Sequence, residues 1–291
     1  MIVPSETPSS TDIAEHYDEL DWVYREIWGE HVHHGLWLTG VETPEAAVRQ
    51  LVRHVAELAA IGPDQTVCDV GCGYGATARL LAEEYEARVT GITLSPRQYE
   101  YAVARRGDND SLSFLLGDWL KNDLATASFD AVVAIESVEH MADKPDCFGE
   151  AFRVLRPGGR FVFSTWLAGE SPRAWEERRL LEPICREGRL PGIGSASEYQ
   201  EMLRATGFLL ESFEDLSSRV RRTWSICIRR VLTRLCRDGR YRRFLGSGGN
   251  RNRIFAVTLL RMWLAYRTGA MRYGLFACTK PPEEGERART V

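Results

Sequence analysis

The chain has 291 residues, 44% hydrophobic and 27% charged, which is enough apolar material for one large globular domain and excludes a disordered chain or a small disulfide scaffold. Lysine and arginine number 37 against 41 acidic residues, so the formal charge of −4 supplies no overall pull toward nucleic acid. Seven cysteines, odd in number, scattered and without a Cys-x-x-Cys pair, point to a reducing compartment and away from structural zinc.

Residues 1–12, rich in Ser, Thr and Pro, read as mobile, and without a basic-then-apolar leader the default location is the cytoplasm. Residues 16–37 crowd aromatics and histidines together. A helical pattern over 44–60 then places Val48, Leu51, Val55, Leu58 and Ala59 on one face, and Gly62-Pro63-Asp64 stops it. From there strands and helices alternate: strand 66–70, a glycine loop, helix 76–85, strand 87–92, helix 96–106, then strands 112–116 and 129–135, helix 145–155 and strand 159–165. A helix at 197–207 and strands at 208–214 and 272–280 complete the series.

Such alternation predicts an α/β fold with a doubly wound, parallel sheet, because right-handed crossovers put helices on both faces. Segments 166–196 and 215–270 break the pattern and read as helical insertions, the natural lid material over strand ends where these sheets bind ligands. Three parts follow: an N-terminal lid segment 1–43, a cofactor-binding core 44–165, and 166–291 with the last two strands and the acceptor-binding insertions. The apolar stretch 254–270 is interrupted by Arg261 and Arg267 and is too short between charges to span a bilayer.

Asp69-Val70-Gly71-Cys72-Gly73-Tyr74-Gly75 closes the first strand and opens a helix. Three glycines at this spacing let the backbone turn tightly and let a ligand approach with no Cβ in the way, which favours a nucleotide-like ligand over an ordinary strand-to-helix turn. A NAD-binding unit would place an acidic residue at the end of the second strand, about 20 residues on. Thr93 stands there instead, while Gly117-Asp118-Trp119 after the third strand offers an adenine edge and face.

These features resemble the class I S-adenosylmethionine-dependent methyltransferases over 44–165 at least, and the tocopherol C-methyltransferase-like group over nearly the whole chain. The closer resemblance rests on Tyr17-Asp18, on Ile27-Trp28-Gly29-Glu30-His31-Val32-His33-His34-Gly35 and on Gly91-Ile92-Thr93-Leu94-Ser95-Pro96 with Gln98. It also rests on Glu136-Ser137-Val138-Glu139-His140-Met141 and on Tyr266-Arg267-Thr268-Gly269 ahead of Arg272-Tyr273-Gly274.

The resemblance implies a Rossmann-like sheet, mostly parallel with an antiparallel last strand, and S-adenosyl-L-methionine as cofactor. It implies Asp69, Gly71, Gly73 and Gly75 around the methionine part, Thr93, Leu94 and Gln98 at the ribose, Asp118 and Trp119 at the adenine, and Ile135 and Glu136 on the far side. By the same resemblance, Tyr17, His33 and His34 of a lid segment hold the cofactor carboxylate.

His31, His33 and His34 lack the i, i+4 spacing and carboxylate partner of a helical metal site, so no metal is expected. In methyl transfer from a sulfonium the leaving sulfur needs no protonation, so position, desolvation and a base for a weak acceptor are what the protein supplies. Glu139 and His140, just past the 129–135 strand, are the catalytic candidates. Imidazole accepts a proton near neutral pH, and Glu139 is either its partner or a structural carboxylate at a helix start.

Trp166, Trp175, Trp224, Met262 and Trp263 in the insertions suit an apolar acceptor pocket or core packing. Arginines between 219 and 243, interleaved with apolar residues, suit a salt-bridged solvated face, a peripheral contact with an anionic membrane, or a phosphorylated substrate. The activity expected from the resemblance is carbon methylation of a hydrophobic, prenylated aromatic or isoprenoid-bearing small molecule in secondary metabolism, with cyclisation able to follow prenyl methylation. Methylation of nitrogen, as on an indole alkaloid, or of oxygen is the alternative. Nucleic acid is not an expected partner, and a homo-oligomer is compatible with the sequence.

Overall fold

A computed structural model of the chain describes residues 1–246 and 255–282. Strands β1 (Thr66–Val70), β2 (Arg88–Thr93), β3 (Leu112–Leu116), β4 (Phe129–Ile135), β5 (Leu155–Ala168), β6 (Leu209–Asp215) and β7 (Met271–Thr279) lie side by side in the order β3-β2-β1-β4-β5-β7-β6. Pairings are parallel except those of β7, which runs antiparallel to both neighbours. Between β1 and β4 the strand order reverses, so a crevice opens at their carboxyl ends.

The helices are α1 (Ser10–Ile27), α2 (Pro44–Leu58), α3 (Ala76–Tyr85), α4 (Pro96–Arg106), α5 (Lys144–Val154), α6 (Ala174–Glu176), α7 (Glu182–Glu187) and α8 (Ala196–Thr206). They continue with α9 (Ser217–Val220), α10 (Arg222–Arg237), α11 (Gly239–Gly246) and α12 (Phe255–Thr268). Local chemistry sets their starts: Thr43 and Ser95 cap α2 and α4, each followed by proline at the first helical position. Strand β4 is almost wholly apolar, as a strand covered on both faces requires, and Phe129 and Ala131 to Ile135 are buried. On one face of the sheet Leu51, Val55, Leu81 and Val133 share a core. On the other, Phe163 stacks on Phe276 at 4.8 Å beside Phe148 and Tyr199.

Two expectations need correction. Residues 1–12 are not loose: Ser9 caps α1 in a reciprocal box with Asp12, and Ile2 exchanges both main-chain hydrogen bonds with Ile193. Strand β5 runs well past 159–165 at both ends, because β7 pairs with it continuously from Arg160 to Ala168 and β4 holds Leu155 across a bulge. The insertions are helical. The first holds α6, a π-helical turn over Glu177–Leu181 and α7, and the second holds α9 to α12. No helix of the described residues is long and apolar enough to cross a membrane.

Candidate active site

The chain leaves β1 through Gly71 (φ 73°) and Gly73 (φ 53°), both in the left-handed region. A Cβ on Gly71 would lie 2.3 Å from Ser137 Cβ at the end of β4, so only glycine lets the turn pass there. At Gly73 a Cβ would meet nothing nearer than Gln98 Nε2 at 4.0 Å, so its bare backbone faces open space. That space is a cleft of about 860 Å³.

Tyr17, His33, Asp69, Gly71, Gly73, Thr93, Leu94, Gln98, Trp119, Ile135 and Glu136 line this one cleft. Gly75, Asp118 and His34 do not. Gly75 is the left-handed residue before α3, where a Cβ would meet the Phe114 ring at 2.7 Å. Asp118 turns its carboxylate back to accept the Leu120 N–H at 3.0 Å, and His34 lines a neighbouring chamber.

The cleft fits the implied cofactor. Asp69 is buried, its Oδ2 has no hydrogen-bond partner among the described residues, and burial pushes its pKa up to about 7. A carboxylate oxygen without a partner in a cleft wall fits a cationic or hydrogen-bond-donating ligand. At the end of β2, Thr93 Oγ1 donates to Gln98 Oε1 at 2.8 Å, placing a polar pair where a ribose would be met.

Helix α1 and the loop after it close the cleft through three carboxylates that the sequence did not single out as fasteners. Asp18 accepts from Ser95 Oγ, Asp21 accepts from Tyr74 Oη at 2.8 Å, and Glu30 accepts from Tyr101 Oη at 2.7 Å and pairs with Arg79. The i, i+3 spacing of Asp18 and Asp21 on α1 was the available signal. Glu30→Gln is expected to loosen this closure and raise the Kd for S-adenosylhomocysteine several-fold with little change in Tm, as calorimetric titration and thermal unfolding will read.

Beside the cleft, and sharing Tyr17, Val32, Glu136 and His140 with it, lies an inner chamber of about 680 Å³. Its walls include Trp28, His34, Trp166, Trp224, Leu259 and Met262. Trp175 and Trp263 lie outside it: Trp175 is exposed, and Trp263 is half-buried with Arg267 over its ring at 4.7 Å.

Glu136 organises this chamber. It sits just past β4 in the left-handed region (φ 53°), a strained conformation for a side chain of its type. Its Oε1 accepts the His34 N–H at 2.6 Å and Tyr273 Oη at 2.8 Å, and its Oε2 meets His34 Nδ1 and Trp166 Nε1, both at 2.9 Å. Burial alone would raise its pKa, but the charge and hydrogen bonds of His34 and the charge of His33 outweigh that and hold it at about 2. The ionised carboxylate thereby ties the segment at His34 to β5 and β7.

His140 ends a 3₁₀ turn over Val138–His140, its Nε2 2.8 Å from Tyr17 Oη and its Nδ1 3.4 Å from the Arg189 carbonyl. Burial, then the charge of His16, lowers its pKa to about 3, so the ring is neutral. With Nδ1–H turned to the carbonyl, Nε2 is left to accept from the Tyr17 hydroxyl.

Glu139 is not its partner. In a 3₁₀ turn successive side chains diverge by a third of a turn, and Glu139 points inward, where Oε2 accepts Thr165 Oγ1 at 3.0 Å. Its Oε1 has no hydrogen-bond partner among the described residues, and burial followed by the charge of Glu136 raises its pKa to about 8.

That shift has a thermodynamic consequence. Between the ordinary 4.5 and about 8, the folded protein keeps on Glu139 a proton that the unfolded chain has lost, so stability falls as pH rises through this window. Glu139→Gln is expected to flatten the fall in Tm from about pH 5 to pH 8. Asp69 adds the same slope to both proteins, so parallel curves would show that Glu139 holds no such proton.

His31 Nδ1 and His33 Nε2 are 3.2 Å apart, and His33 Nδ1 donates to the His34 carbonyl at 2.8 Å. Among the described residues no three His, Cys, Asp or Glu side chains are grouped so as to hold a metal ion.

Residues 4–235 match the family model described as mycolic acid cyclopropane synthetase. The chloroplastic tocopherol O-methyltransferase of Arabidopsis thaliana is 32% identical over 290 residues, covering 92% of this chain and 82% of that one. Among solved structures, the mycolic acid cyclopropane synthase CmaA1 complexed with SAH and CTAB has a TM-score of 0.82 at 23% identity, covering 94% of this chain and 99% of that one. The [4+2]-cyclase SpnF has a TM-score of 0.80 at 26% identity, covering 96% and 98%. A sheet of order β3-β2-β1-β4-β5-β7-β6, a glycine turn bordering a nucleoside-sized cleft and these matches agree: the chain belongs to the mycolic acid cyclopropane synthetase family and is a class I S-adenosylmethionine-dependent methyltransferase.

Proposed function

We propose that the enzyme methylates a ring carbon of a hydrophobic, hydroxyl-bearing and prenylated aromatic small molecule of secondary metabolism, seated in the inner chamber. One observation carries this reading: a chamber lined by Trp28, Trp166, Trp224, Ile184, Leu259 and Met262, together with the polar His16, Glu139, Glu187 and Thr258, meets the cofactor cleft at Tyr17 and His140. When bound, S-adenosylmethionine supplies an electrophilic methyl carbon. The glycine turn, Asp69, Thr93 and Gln98 hold the cofactor, the closed lid excludes water, and Glu136 fixes the chamber wall.

His140 Nε2, which accepts from the Tyr17 hydroxyl in the resting protein, accepts a hydrogen bond from the acceptor hydroxyl and orients the ring toward the cleft. A hydroxyl-bearing ring carries electron density on carbon as well as oxygen, and the carbon that takes the methyl gives up its hydrogen as a proton to solvent when the aromatic ring is restored. Oxygen is therefore the second accepting atom, and the O-methyltransferase name of the Arabidopsis relative favours it.

The test is incubation with methyl-labelled S-adenosylmethionine and a panel of prenylated hydroquinones, unprenylated phenols and amines, with products assigned by mass spectrometry and NMR. Label on a ring carbon of a prenylated hydroquinone is expected. Ring closure of the prenyl chain would appear in the same spectra. Label confined to amines or to polar acceptors would overturn the reading.

A further inference from the structure

We infer that Lys144 is a positioning residue for methyl transfer: its ammonium pins the turn that carries His140 and so holds the imidazole at the junction of cleft and chamber. The role rests on the function proposed above, because Lys144 acts through His140.

The position is a costly one for a cation. Lys144 is the first residue of α5, just after the Asp143 cap, at the positive end of the helix dipole. It is only 2% exposed and makes no ion pair among the described residues. Desolvation disfavours a buried ammonium without a carboxylate in contact, and burial lowers the pKa of Lys144 to about 8. A methionine of similar length would fill the same space without that cost.

What a methionine lacks is donors. Lys144 Nζ donates to the Glu139 carbonyl at 3.0 Å and to the Met141 carbonyl at 2.6 Å. These are the residues on either side of His140, so one ammonium holds the chain before and after the imidazole. The main-chain bonds of the turn tie it back toward β4: His140 N–H donates to the Ser137 carbonyl and Met141 N–H to the Val138 carbonyl, both at 3.1 Å. Lys144 ties it forward to α5, which is anchored in the core through Cys147, Phe148 and Ala151. The ring is held separately, by the Tyr17 hydroxyl and the Arg189 carbonyl. A short 3₁₀ turn is weak support for a side chain that must stand in one place, and placement is what an orienting hydrogen bond needs.

Lys144→Met, made in the full-length protein, keeps the length of the side chain and removes its donors. It is expected to lower kcat about tenfold or more, whereas the same substitution in the His140→Ala background should leave kcat unchanged. Such non-additivity marks two residues that act as one unit. A merely structural lysine would lower Tm and cost the same factor in both backgrounds. Lys144→Arg keeps a donating cation there and serves as the second variant. A smaller loss of kcat, again silent without His140, is expected of it, whether or not the methionine variant folds.

The second readout needs no acceptor. In protein labelled with 15N-histidine, the His140 signals, identified by their absence from His140→Ala, should move in both lysine variants, while those of His54, on α2 beside Glu214, stay in place. Full kcat in the lysine variants, equal losses with and without His140, or unmoved His140 signals would each overturn the proposal. Undiminished kcat in His140→Ala would instead overturn the role given to the imidazole, so the two failures are separate results.

Discussion

Gly71→Ala is expected to remove measurable binding of S-adenosylhomocysteine and to lower Tm by several degrees, whereas Gly73→Ala should lose binding while nearly keeping its Tm. The two glycines share a left-handed backbone, and alanine there costs about 1 kcal/mol in either place. They differ in what the new methyl meets. At Gly71 it would lie 2.3 Å from Ser137 Cβ, so the turn or the end of β4 must move, and both frame the cleft. Overpacking of this kind costs about 1–3 kcal/mol.

At Gly73 the methyl enters open space, and that space is the cleft itself. A ligand resting on this backbone then loses its seat, and a loss of about 3 kcal/mol is about a hundredfold in affinity. Calorimetric titration with S-adenosylhomocysteine beside thermal unfolding reads both effects. Wild-type affinity in Gly73→Ala would place the ligand elsewhere.

His140→Ala is expected to lower kcat by about a hundredfold, the cost of misplacing a reacting group, with the Kd for S-adenosylhomocysteine little changed. His140 stands where cleft and chamber meet, and it is the neutral imidazole there, Nε2 accepting from Tyr17. Tyr17→Phe should cost less, since it removes the partner of the imidazole and leaves the imidazole itself. Because the pKa of His140 is held at about 3, its own protonation should leave no inflection in the rate across the neutral range. Undiminished kcat in His140→Ala would remove the role assigned to it.

The sheet could be read from the sequence because its signals are local. The apolar run of β4, the Ser95-Pro96 start of α4 and the glycine turn before α3 each mark an element by their own chemistry. What was missed depends on partners distant along the chain. The extra length of β5 comes from β7, and the order of the first residues comes from Ile193.

The site divides in the same way. The turn at Gly71 and Gly73 announces itself, but the fastening of Asp18, Asp21 and Glu30 depends on Ser95, Tyr74 and Tyr101, which no spacing rule brings together. Adjacency also misled: Glu139 and His140 are neighbours in sequence, yet the 3₁₀ turn sends one to Thr165 and the other to Tyr17. Glu136, expected on the far side of the cofactor, meets four donors from His34, β5 and β7 that only the fold assembles.

The most direct test is a crystal structure of the protein grown with S-adenosylhomocysteine and a prenylated hydroquinone. The nucleoside is expected against Gly71, Gly73 and Thr93, and the ring in the inner chamber with its hydroxyl in hydrogen-bond reach of His140 Nε2. Density for the hydroquinone outside that chamber, or for the nucleoside away from the glycine turn, would contradict that placement.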